Sequence, residues 1–307
     1  MKKFVFLAAF FSVFYASAEY KSPPIKLCHF ETYESCFQAH VSDLASPDFR
    51  YPSRSFVMYQ ASPTGKAAVL VHGLTDSPFI MKDVASILFK QGYDVFAVLL
   101  IGHGTQAEDL FTVEKEQWQM QINQAARMMA PRTSNGKILL AGFSMGGALV
   151  TSEVLRHPGL YSALVQISPA LSLADWKAPA SCLARAFFDW ASVSEERENS
   201  PWRYNRMPLN AVCELTRVVS EISGRGAEIE IPMWSAVSTG DKRIDVSQVV
   251  SYLRTGKNPN NAAIVISNPS IGHADLPLKV NPFVQRTNPE FPRLETGLNE
   301  FLNKISH

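Results

Sequence analysis

A serine flanked by two glycines constrains the fold of this chain more than any other feature of its sequence. Residues 142–146 read GFSMG, and they lie between an apolar run at 137–141 and a stretch of small residues that is typical of a helix. This order predicts a strand, a tight turn and a helix, with Ser144 at the tip of the turn. Gly142 and Gly146 suit such a turn because a Cβ at either position would collide where the strand and the helix approach each other. We therefore expect the serine to project from the carboxyl edge of a sheet, where open α/β folds bind ligands.

Short apolar runs recur along the chain and alternate with amphipathic segments. The alternation predicts βαβ units and a mostly parallel central sheet flanked by helices. Helices are predicted after Ser77, which can cap the first of them, over residues 113–129, and from the serine turn to His157. Strands are predicted at residues 56–60, 67–71, 94–101, 138–141, 164–167, 233–238 and 263–266.

Residues 171–230 interrupt this alternation. They hold several aromatic residues and a charged stretch at 195–198, and we interpret them as a helical cap inserted into the sheet domain. The sequence therefore predicts an α/β core with a cap and an N-terminal extension. The predicted segments are a signal peptide at 1–18, the extension at 19–55, the core at 56–170 and 231–307, and the cap at 171–230.

The N-terminus has the pattern of a secretory signal peptide. Lys2 and Lys3 precede an apolar core at 4–15, which is short for a membrane span, and small residues at positions 16 and 18 form a cleavage pattern. We predict cleavage after Ala18 and export to the periplasm or the medium; an uncleaved anchor is the alternative. After Ala18 the sequence has no apolar run long enough to cross a bilayer.

Composition limits the classes of partner. Of the 307 residues, 46% are hydrophobic and 19% are charged, and the net charge is +1 at pH 7. These values are typical of a globular protein with a sizeable core, and they do not suggest a polyanionic partner. The sequence has no basic stretch with interleaved aromatic residues, which argues against nucleic-acid binding.

The cysteines suggest disulfides rather than a metal site. Four cysteines allow three pairings, and we favour the two that are local in sequence, Cys28 with Cys36 and Cys182 with Cys213. Buried free thiols are the alternative. The spacing matches no zinc-binding pattern, and we expect no metal ion.

Candidate partners for the serine follow it in the chain. A serine hydroxyl becomes an effective nucleophile when a histidine takes its proton and a carboxylate orients that histidine. Asp241 follows the predicted strand at 233–238, and His273 lies in a loop after the last apolar run. Asp245, close to Asp241, is the alternative carboxylate, and Asp175 is a more distant one. The sequence therefore predicts a catalytic serine, aspartate and histidine in that chain order.

Two earlier loops are expected to build the same site. His72 and His103 each follow a predicted strand but precede the serine, and we expect their loops to shape the site without supplying the base. The loop after His72 can direct a backbone N–H at the substrate oxyanion, and the N–H of Met145 would be the second donor. The remaining histidines lack a strand-end context and are interpreted as structural or surface residues, at positions 29, 40, 157 and 307.

These motifs together resemble the α/β-hydrolase superfamily, and in particular bacterial carboxylesterases and monoacylglycerol-lipase-like hydrolases. The resemblance covers roughly residues 56–305 and consists of five motifs in order: VLVHGLTDSP at 69–78, GHG at 102–104, GFSMG at 142–146, GD at 240–241 and GH at 272–273. It implies a cap over the site and no cofactor. It also implies the roles of the site residues: Ser144 as nucleophile, Asp241 and His273 as its partners, and Leu74 and Met145 as oxyanion donors. The N-terminal extension and its two cysteines depart from the family pattern.

The expected reaction is hydrolysis of a small carboxylic ester through an acyl-enzyme. The aromatic residues of the cap suit a hydrophobic acyl chain, and ordinary packing within the cap is an equal alternative for them. Three alternatives are open. A serine aminopeptidase or amidase would need an acid for the substrate amine, for which Glu195, Glu196 and Glu198 are candidates. A lipid acyltransferase would pass the acyl group to another acceptor. A catalytically silent binding protein would be expected to lack a member of the serine, aspartate and histidine set.

Overall fold

A computed structural model of the chain describes residues 53–173, 180–191, 202–281 and 286–306. The predicted signal peptide, most of the predicted N-terminal extension, and the predicted pair Cys28 and Cys36 lie outside these residues. Asp175 and the charged stretch at 195–198 also lie outside them. The boundaries of the signal peptide, extension, core and cap therefore stay predictions.

One seven-stranded sheet forms the centre of the fold. The strands of the described residues, numbered in chain order, are β1 (Phe56–Met58), β2 (Ala67–Val71), β3 (Asp94–Val98), β4 (Ile138–Phe143), β5 (Tyr161–Ile167), β6 (Trp190–Ala191), β7 (Met207–Pro208), β8 (Met233–Ser238), β9 (Ala262–Ile266), β10 (Val280–Asn281) and β11 (Arg286–Thr287). The sheet order is β1-β3-β2-β4-β5-β8-β9, while β6 pairs with β7 and β10 with β11. Only the edge strand β1 is antiparallel to its neighbour in the sheet, so the prediction of a mostly parallel sheet is confirmed.

Residues of the central strands alternate between two hydrophobic layers. In β2, Val69 and Val71 pack into one layer, and Ala68 and Leu70 pack into the other. Every residue of β2, β3 and β4 is buried, as expected for parallel strands that are covered on both faces. This double burial explains why these segments are continuous apolar runs in the sequence.

Helices cover both faces of the sheet. They are α1 (Lys82–Lys90), α2 (Lys115–Met129), α3 (Met145–Arg156), α4 (Ser181–Ala184), α5 (Leu209–Ile222), α6 (Val246–Thr255) and α7 (Phe291–Ile305), with short 3-10 helices at Pro78–Met81, Ala107–Phe111, Ala130–Arg132, Pro158–Leu160 and Gly226–Glu228. Helices α1 and α7 contribute to one layer through residues such as Leu88 and Leu298. Helices α2, α3, α5 and α6 contribute to the other through residues such as Trp118, Leu149 and Val249. Among the described helices, none combines the length and the apolar character that crossing a membrane requires.

Strand β3 is shorter than the sequence predicts. It ends at Val98 rather than at residue 101, because the next two backbone N–H groups bond outside the sheet. The N–H of Leu99 donates to the hydroxyl of Ser55, and that of Leu100 donates to Nε2 of His72. The polar partners that end the strand come from distant parts of the chain.

Two helix starts also differ from expectation. Helix α2 begins at Lys115 because Glu114 forms a capping box with Gln117. Ser77 was expected to cap a helix, and this expectation is wrong: its side chain makes no capping hydrogen bond, and the chain first forms the 3-10 helix Pro78–Met81. The carbonyl of Ser77 accepts the hydrogen bond from the Ile80 N–H, so the backbone satisfies the donor that a hydroxyl cap would have served.

The segment between β5 and β8 contains α4, the antiparallel pair β6 and β7, and α5. A disulfide joins Cys182 in α4 to Cys213 in α5, as predicted. Helix α5 packs against α3, and its Cys213 and Val218 are buried. Among the described residues of this segment, three large apolar side chains are exposed: Leu183, Phe187 and Phe188.

Candidate active site

The serine turn has the geometry that its glycines predict. A single residue, Ser144, separates β4 from α3, and its φ of 54° and ψ of −119° are strained for an L residue. A Cβ on Gly142 would lie 2.4 Å from the backbone of Gly146. A Cβ on Gly146 would lie 2.2 Å from the carbonyl oxygen of Val71. Both contacts are to backbone, which cannot withdraw, so the steric expectation for both glycines is confirmed.

Backbone hydrogen bonds hold the strained serine in place. Its N–H donates to the carbonyl of Ile167 at 3.1 Å. Its own carbonyl accepts from the N–H of Ala148 at 3.2 Å and from that of Ala170 at 2.9 Å. Strain of this kind persists only where the surrounding structure fixes the backbone, as it does here.

A continuous row of hydrogen bonds joins the serine, histidine and aspartate that the sequence singles out. Nε2 of His273 lies 2.8 Å from Oγ of Ser144, and Nδ1 of His273 lies 2.6 Å from Oδ2 of Asp241. The histidine ring also packs against Phe143, with ring centroids 4.9 Å apart. In this arrangement Nε2 can accept the serine proton while Nδ1–H donates to the carboxylate.

Direct contact between two loops brings the histidine and the aspartate together. The hydroxyl of Ser238, the last residue of β8, donates to the carbonyl of Ile271 at 2.7 Å. A Cβ on Gly240 would lie 2.5 Å from the carbonyl oxygen of Pro269, so the two loops approach as closely as a glycine allows. The loop after β8 therefore places its aspartate against the loop after β9, which carries His273.

The carboxylate of Asp241 is held in its ionised form. Burial alone would raise its pKa, but the hydrogen bond and charge of His273 and the backbone N–H of Arg243 outweigh burial and lower that pKa. Oδ1 accepts from the backbone N–H groups of Arg243 and Ile244, at 2.8 Å and 3.3 Å. One oxygen is thus fixed by the backbone, and the other faces the histidine.

Asp245, the alternative carboxylate, caps a helix. Its Oδ1 accepts from the backbone N–H groups of Ser247 and Gln248, at 3.0 Å and 3.2 Å. It is the N-cap of α6. The structure therefore brings Asp241, and not Asp245, to the histidine.

The two residues that the resemblance implies as oxyanion donors lie on neighbouring loops. Leu74 is in the turn after β2, and Met145 is the first residue of α3. β2 and β4 are parallel neighbours with Val71 opposite Gly142, so both loops leave the sheet at the same edge. The N–H groups of a helix's first turn have no acceptor within the helix, which makes that of Met145 available to an anion.

His72 and His103 are buried side by side at the ends of β2 and β3. In each ring Nδ1 donates to a nearby backbone carbonyl. Nε2 of His72 accepts from the N–H of Leu100, and Nε2 of His103 accepts from the N–H of Thr75, both at 3.1 Å. Burial lowers the pKa of His72 to about 4 and that of His103 to about 3, against the opposing effect of the carbonyl contacts. Both rings are therefore neutral at pH 7.

One set of contacts near the site has no signal in the sequence. Tyr204, within the predicted cap, donates its backbone N–H to the carbonyl of Thr75 at 2.8 Å. Nε of Arg203 lies 3.2 Å from a carboxylate oxygen of Asp76 in an almost buried ion pair. Both contacts join residues far apart in the chain, and the irregular stretch around them carries no periodic pattern to predict them.

Several other candidate groups lie outside the part of the chain that the structure describes. Asp175 and the possible amine-binding acids Glu195, Glu196 and Glu198 lie outside the described residues. Within the ranges that the structure describes, no group of three or more His, Cys, Asp or Glu side chains could hold a metal ion.

A mostly parallel sheet with a serine on a strained strand–helix turn, hydrogen-bonded to a histidine and an aspartate, defines an α/β-hydrolase. Comparison with known protein families shows which family within this class the chain belongs to. The chain belongs to the hydrolase family described as serine aminopeptidase S33, which matches residues 62–268. The matched range includes Ser144 and Asp241 and ends shortly before His273.

Several similar proteins are lipases. A thermostable monoacylglycerol lipase from Bacillus sp. (strain H-257) is 26% identical over 176 residues, covering 56% of this chain and 69% of the lipase. A solved structure from work on the metagenome-derived lipolytic enzymes LipS and LipT matches with a TM-score of 0.70 at 17% identity, covering 83% of this chain and 99% of the other. The structure of a monoacylglycerol lipase from Paleococcus ferrophilus matches with a TM-score of 0.65 at 16% identity, covering 82% of this chain and 99% of that lipase. At these identities the structural matches establish the shared fold.

Proposed function

We propose that this chain hydrolyses carboxylic esters through an acyl-enzyme on Ser144. The observation that carries the proposal is the row of hydrogen bonds from the serine Oγ through His273 to Asp241, with distances of 2.8 Å and 2.6 Å. Such a row converts a weakly nucleophilic hydroxyl into an effective nucleophile. The similarity to a monoacylglycerol lipase supports an ester as the substrate.

In the first half of the reaction, Oγ of Ser144 attacks the ester carbonyl as its proton passes to Nε2 of His273. The carbonyl oxygen becomes an oxyanion, which the backbone N–H groups of Leu74 and Met145 stabilise. Asp241 stabilises the imidazolium that forms and keeps the ring oriented. The tetrahedral intermediate then collapses: the bond to the alcohol oxygen breaks, and Nε2 returns its proton to the departing alcohol.

In the second half, water takes the place of the alcohol. His273 accepts a proton from the water, which attacks the acyl carbonyl and forms a second oxyanion in the same place. The bond between the acyl carbon and Oγ breaks, and Ser144 regains a proton from Nε2. The carboxylic acid leaves, and every group of the site returns to its starting state.

The substrate class that we propose is a small ester with an apolar acyl chain, such as a monoacylglycerol. Contiguous patches of exposed apolar side chains, unlike apolar residues scattered singly, mark sites that meet apolar ligands or partners. The segment before α5 presents Leu183, Phe187 and Phe188 in this way. This surface and the lipase relative together favour an acyl chain over a charged substrate.

Peptide or amide hydrolysis is the second candidate, because the family itself is described as serine aminopeptidase. The same serine, histidine and aspartate could attack an amide. An aminopeptidase would also need an acidic side chain to bind the amine of the amino-terminal residue that it removes. The two candidates therefore differ in the substrate-binding groups rather than in the nucleophile.

A substrate panel tests the proposal. p-Nitrophenyl esters of graded acyl length and a monoacylglycerol are compared with amino-acid p-nitroanilides, for the wild type and for Ser144→Ala. We expect turnover of the esters and a fall in kcat of at least about a thousandfold on removing the hydroxyl. Cleavage of anilides without esters would support the aminopeptidase instead, and unchanged ester turnover by the variant would remove the serine from the mechanism.

Export is part of the same proposal. The signal-like pattern up to Ala18 and the disulfide between Cys182 and Cys213 both suit an oxidising compartment outside the cytosol. N-terminal sequencing of the exported protein is expected to begin at Glu19. A sequence that begins at Met1 would contradict cleavage.

A further inference from the structure

Thr75 follows the proposed oxyanion donor Leu74 and has a strained backbone. Its φ is 65°, in the left-handed region that a β-branched residue rarely adopts, and the residue is buried. A conformation of this kind has to be imposed by neighbouring groups. The N–H of Thr75 belongs to the peptide unit that follows Leu74, so whatever holds Thr75 also restricts the backbone of Leu74, whose own N–H lies in the preceding peptide unit.

Both backbone groups of Thr75 are held, and by different parts of the chain. Its N–H donates to Nε2 of His103 at 3.1 Å. Its carbonyl accepts from the backbone N–H of Tyr204 at 2.8 Å. The first contact comes from the loop after β3 and the second from the predicted cap.

The two residues that hold Thr75 also hold each other. The ring of Tyr204 stacks on that of His103, with an interplanar angle of 6° and centroids 6.1 Å apart. The tyrosine hydroxyl donates to the carbonyl of Gly102 and accepts from the N–H of Thr105, both at 3.0 Å. These two bonds bracket His103 on either side, so a closed ring of contacts runs through the threonine, the histidine and the tyrosine.

We propose that His103 and Tyr204 are positioning residues, which fix the oxyanion loop by clamping Thr75 from both sides. Each acts through the backbone of Thr75. The inference rests on the proposed function, since it assigns the clamp to the oxyanion donor of that reaction. A displacement of about 1 Å at a reacting group can cost on the order of a hundredfold in rate, so loosening this loop is expected to lower kcat.

Kinetics of matched variants test the clamp. Tyr204→Phe keeps the ring and the backbone N–H but removes the hydroxyl bonds to the histidine loop. We expect kcat to fall about tenfold, with KM within about twofold of the wild type, because the oxyanion exists only in the transition state. His103→Ala is expected to lower kcat by about a hundredfold. His103→Gln, whose amide oxygen can accept from the Thr75 N–H, is expected to restore part of that loss.

Tyr161→Phe is the control. The Tyr161 hydroxyl is buried and donates to the carboxylate of Glu153 at 3.1 Å, and the substitution removes this bond. Tyr161 is the first residue of β5 and so lies at the amino ends of the parallel strands, away from the serine at their carboxyl ends. We expect a lower Tm with unchanged kcat. Equal kcat values for Tyr204→Phe and Tyr161→Phe would overturn the clamp, and this comparison decides the question even if His103→Ala fails to fold.

Amide hydrogen exchange provides a readout that needs no substrate. The peptide covering residues 72–77 is expected to exchange faster in Tyr204→Phe than in the wild type, and at the wild-type rate in Tyr161→Phe. Unchanged exchange in Tyr204→Phe would overturn the clamp whatever the substrate. Faster exchange in a protein that hydrolyses none of the tested esters would support the clamp while contradicting the proposed function.

Discussion

His72 and His103 each accept a hydrogen bond from the loop that carries the other. Nε2 of His72 takes the N–H of Leu100, and Nε2 of His103 takes the N–H of Thr75, both at 3.1 Å. Each bond requires an unprotonated Nε2, because a protonated nitrogen would face another donor. This pair of hydrogen bonds between the two loops therefore forms only while both histidines are neutral.

This pair of hydrogen bonds predicts a loss of stability in mild acid. The pKa of His72 falls from 6.5 to about 4 on folding, and that of His103 falls from 6.5 to about 3, even though the Asp76 charge acts to raise the latter. Between these values the unfolded chain binds more protons than the folded one, so stability is fully present above about pH 6.5 and declines as the pH falls towards 4. The decline from His72 alone is on the order of 3 kcal/mol.

Urea unfolding between pH 7 and pH 4 measures this loss. Replacing His103 with Gln removes one of the two titrating groups, so the free energy of unfolding of that variant should depend less on pH over the same interval. A wild-type free energy that stays constant from pH 6.5 to pH 5 would contradict the neutral state of the two histidines.

The two candidate carboxylates predict different consequences when they are replaced. Asp241→Asn removes the charge that stabilises the imidazolium of His273, and kcat should fall by roughly ten-thousandfold. Asp245→Ala should leave kcat unchanged and lower the free energy of unfolding by about 1 kcal/mol, because it removes the cap of α6. Ester kinetics and urea unfolding of both variants check the assignment, which a reversed outcome would refute.

Crowding at the serine turn predicts that two glycines differ sharply in how well they tolerate replacement by alanine. A Cβ on Gly146 would lie 2.2 Å from the carbonyl oxygen of Val71, whereas one on Gly159 would meet nothing within 4 Å. Gly146→Ala should lose roughly 3 kcal/mol of unfolding free energy and most of the activity, because helix and strand must separate. Gly159→Ala should change stability by less than about 0.5 kcal/mol. Similar unfolding curves for the two variants would argue against the close approach.

The disulfide predicts a stability difference that depends on reduction. Cys182 and Cys213 are separated by 31 positions, and closing such a loop is worth about 4 kcal/mol. A variant with Cys182 and Cys213 both replaced by alanine should lose that amount in urea, and a thiol reductant should destabilise the wild type more than the variant. Peptide mapping without reduction checks the pairing itself, and the predicted Cys28–Cys36 pair with it.

The sequence predicted the elements that depend on local pattern. Buried strands such as β2 and β8 were predicted at their observed ends, since continuous apolar runs mark strands that are covered on both faces. The serine turn was predicted because its glycine pattern is local, within residues 142–146, although the group that excludes a Cβ at Gly146 is the distant carbonyl of Val71. The order of Ser144, Asp241 and His273 along the chain identified the three side chains that the structure brings together.

The sequence could not predict contacts between distant, irregular segments. β3 ends early because Ser55 and His72 take its N–H groups, and Thr75 is held by His103 and Tyr204. Such contacts depend on where loops meet after the sheet has formed, and no local pattern records them.

The most direct test of the central claim is covalent labelling of the nucleophile. Intact-mass analysis after treatment with a fluorophosphonate should show a single adduct on the wild-type chain, and peptide mapping should place it on Ser144. The Ser144→Ala variant, checked for an unchanged Tm, should show none. An adduct on another residue, or one that persists in the folded variant, would contradict a nucleophile activated by His273 and Asp241.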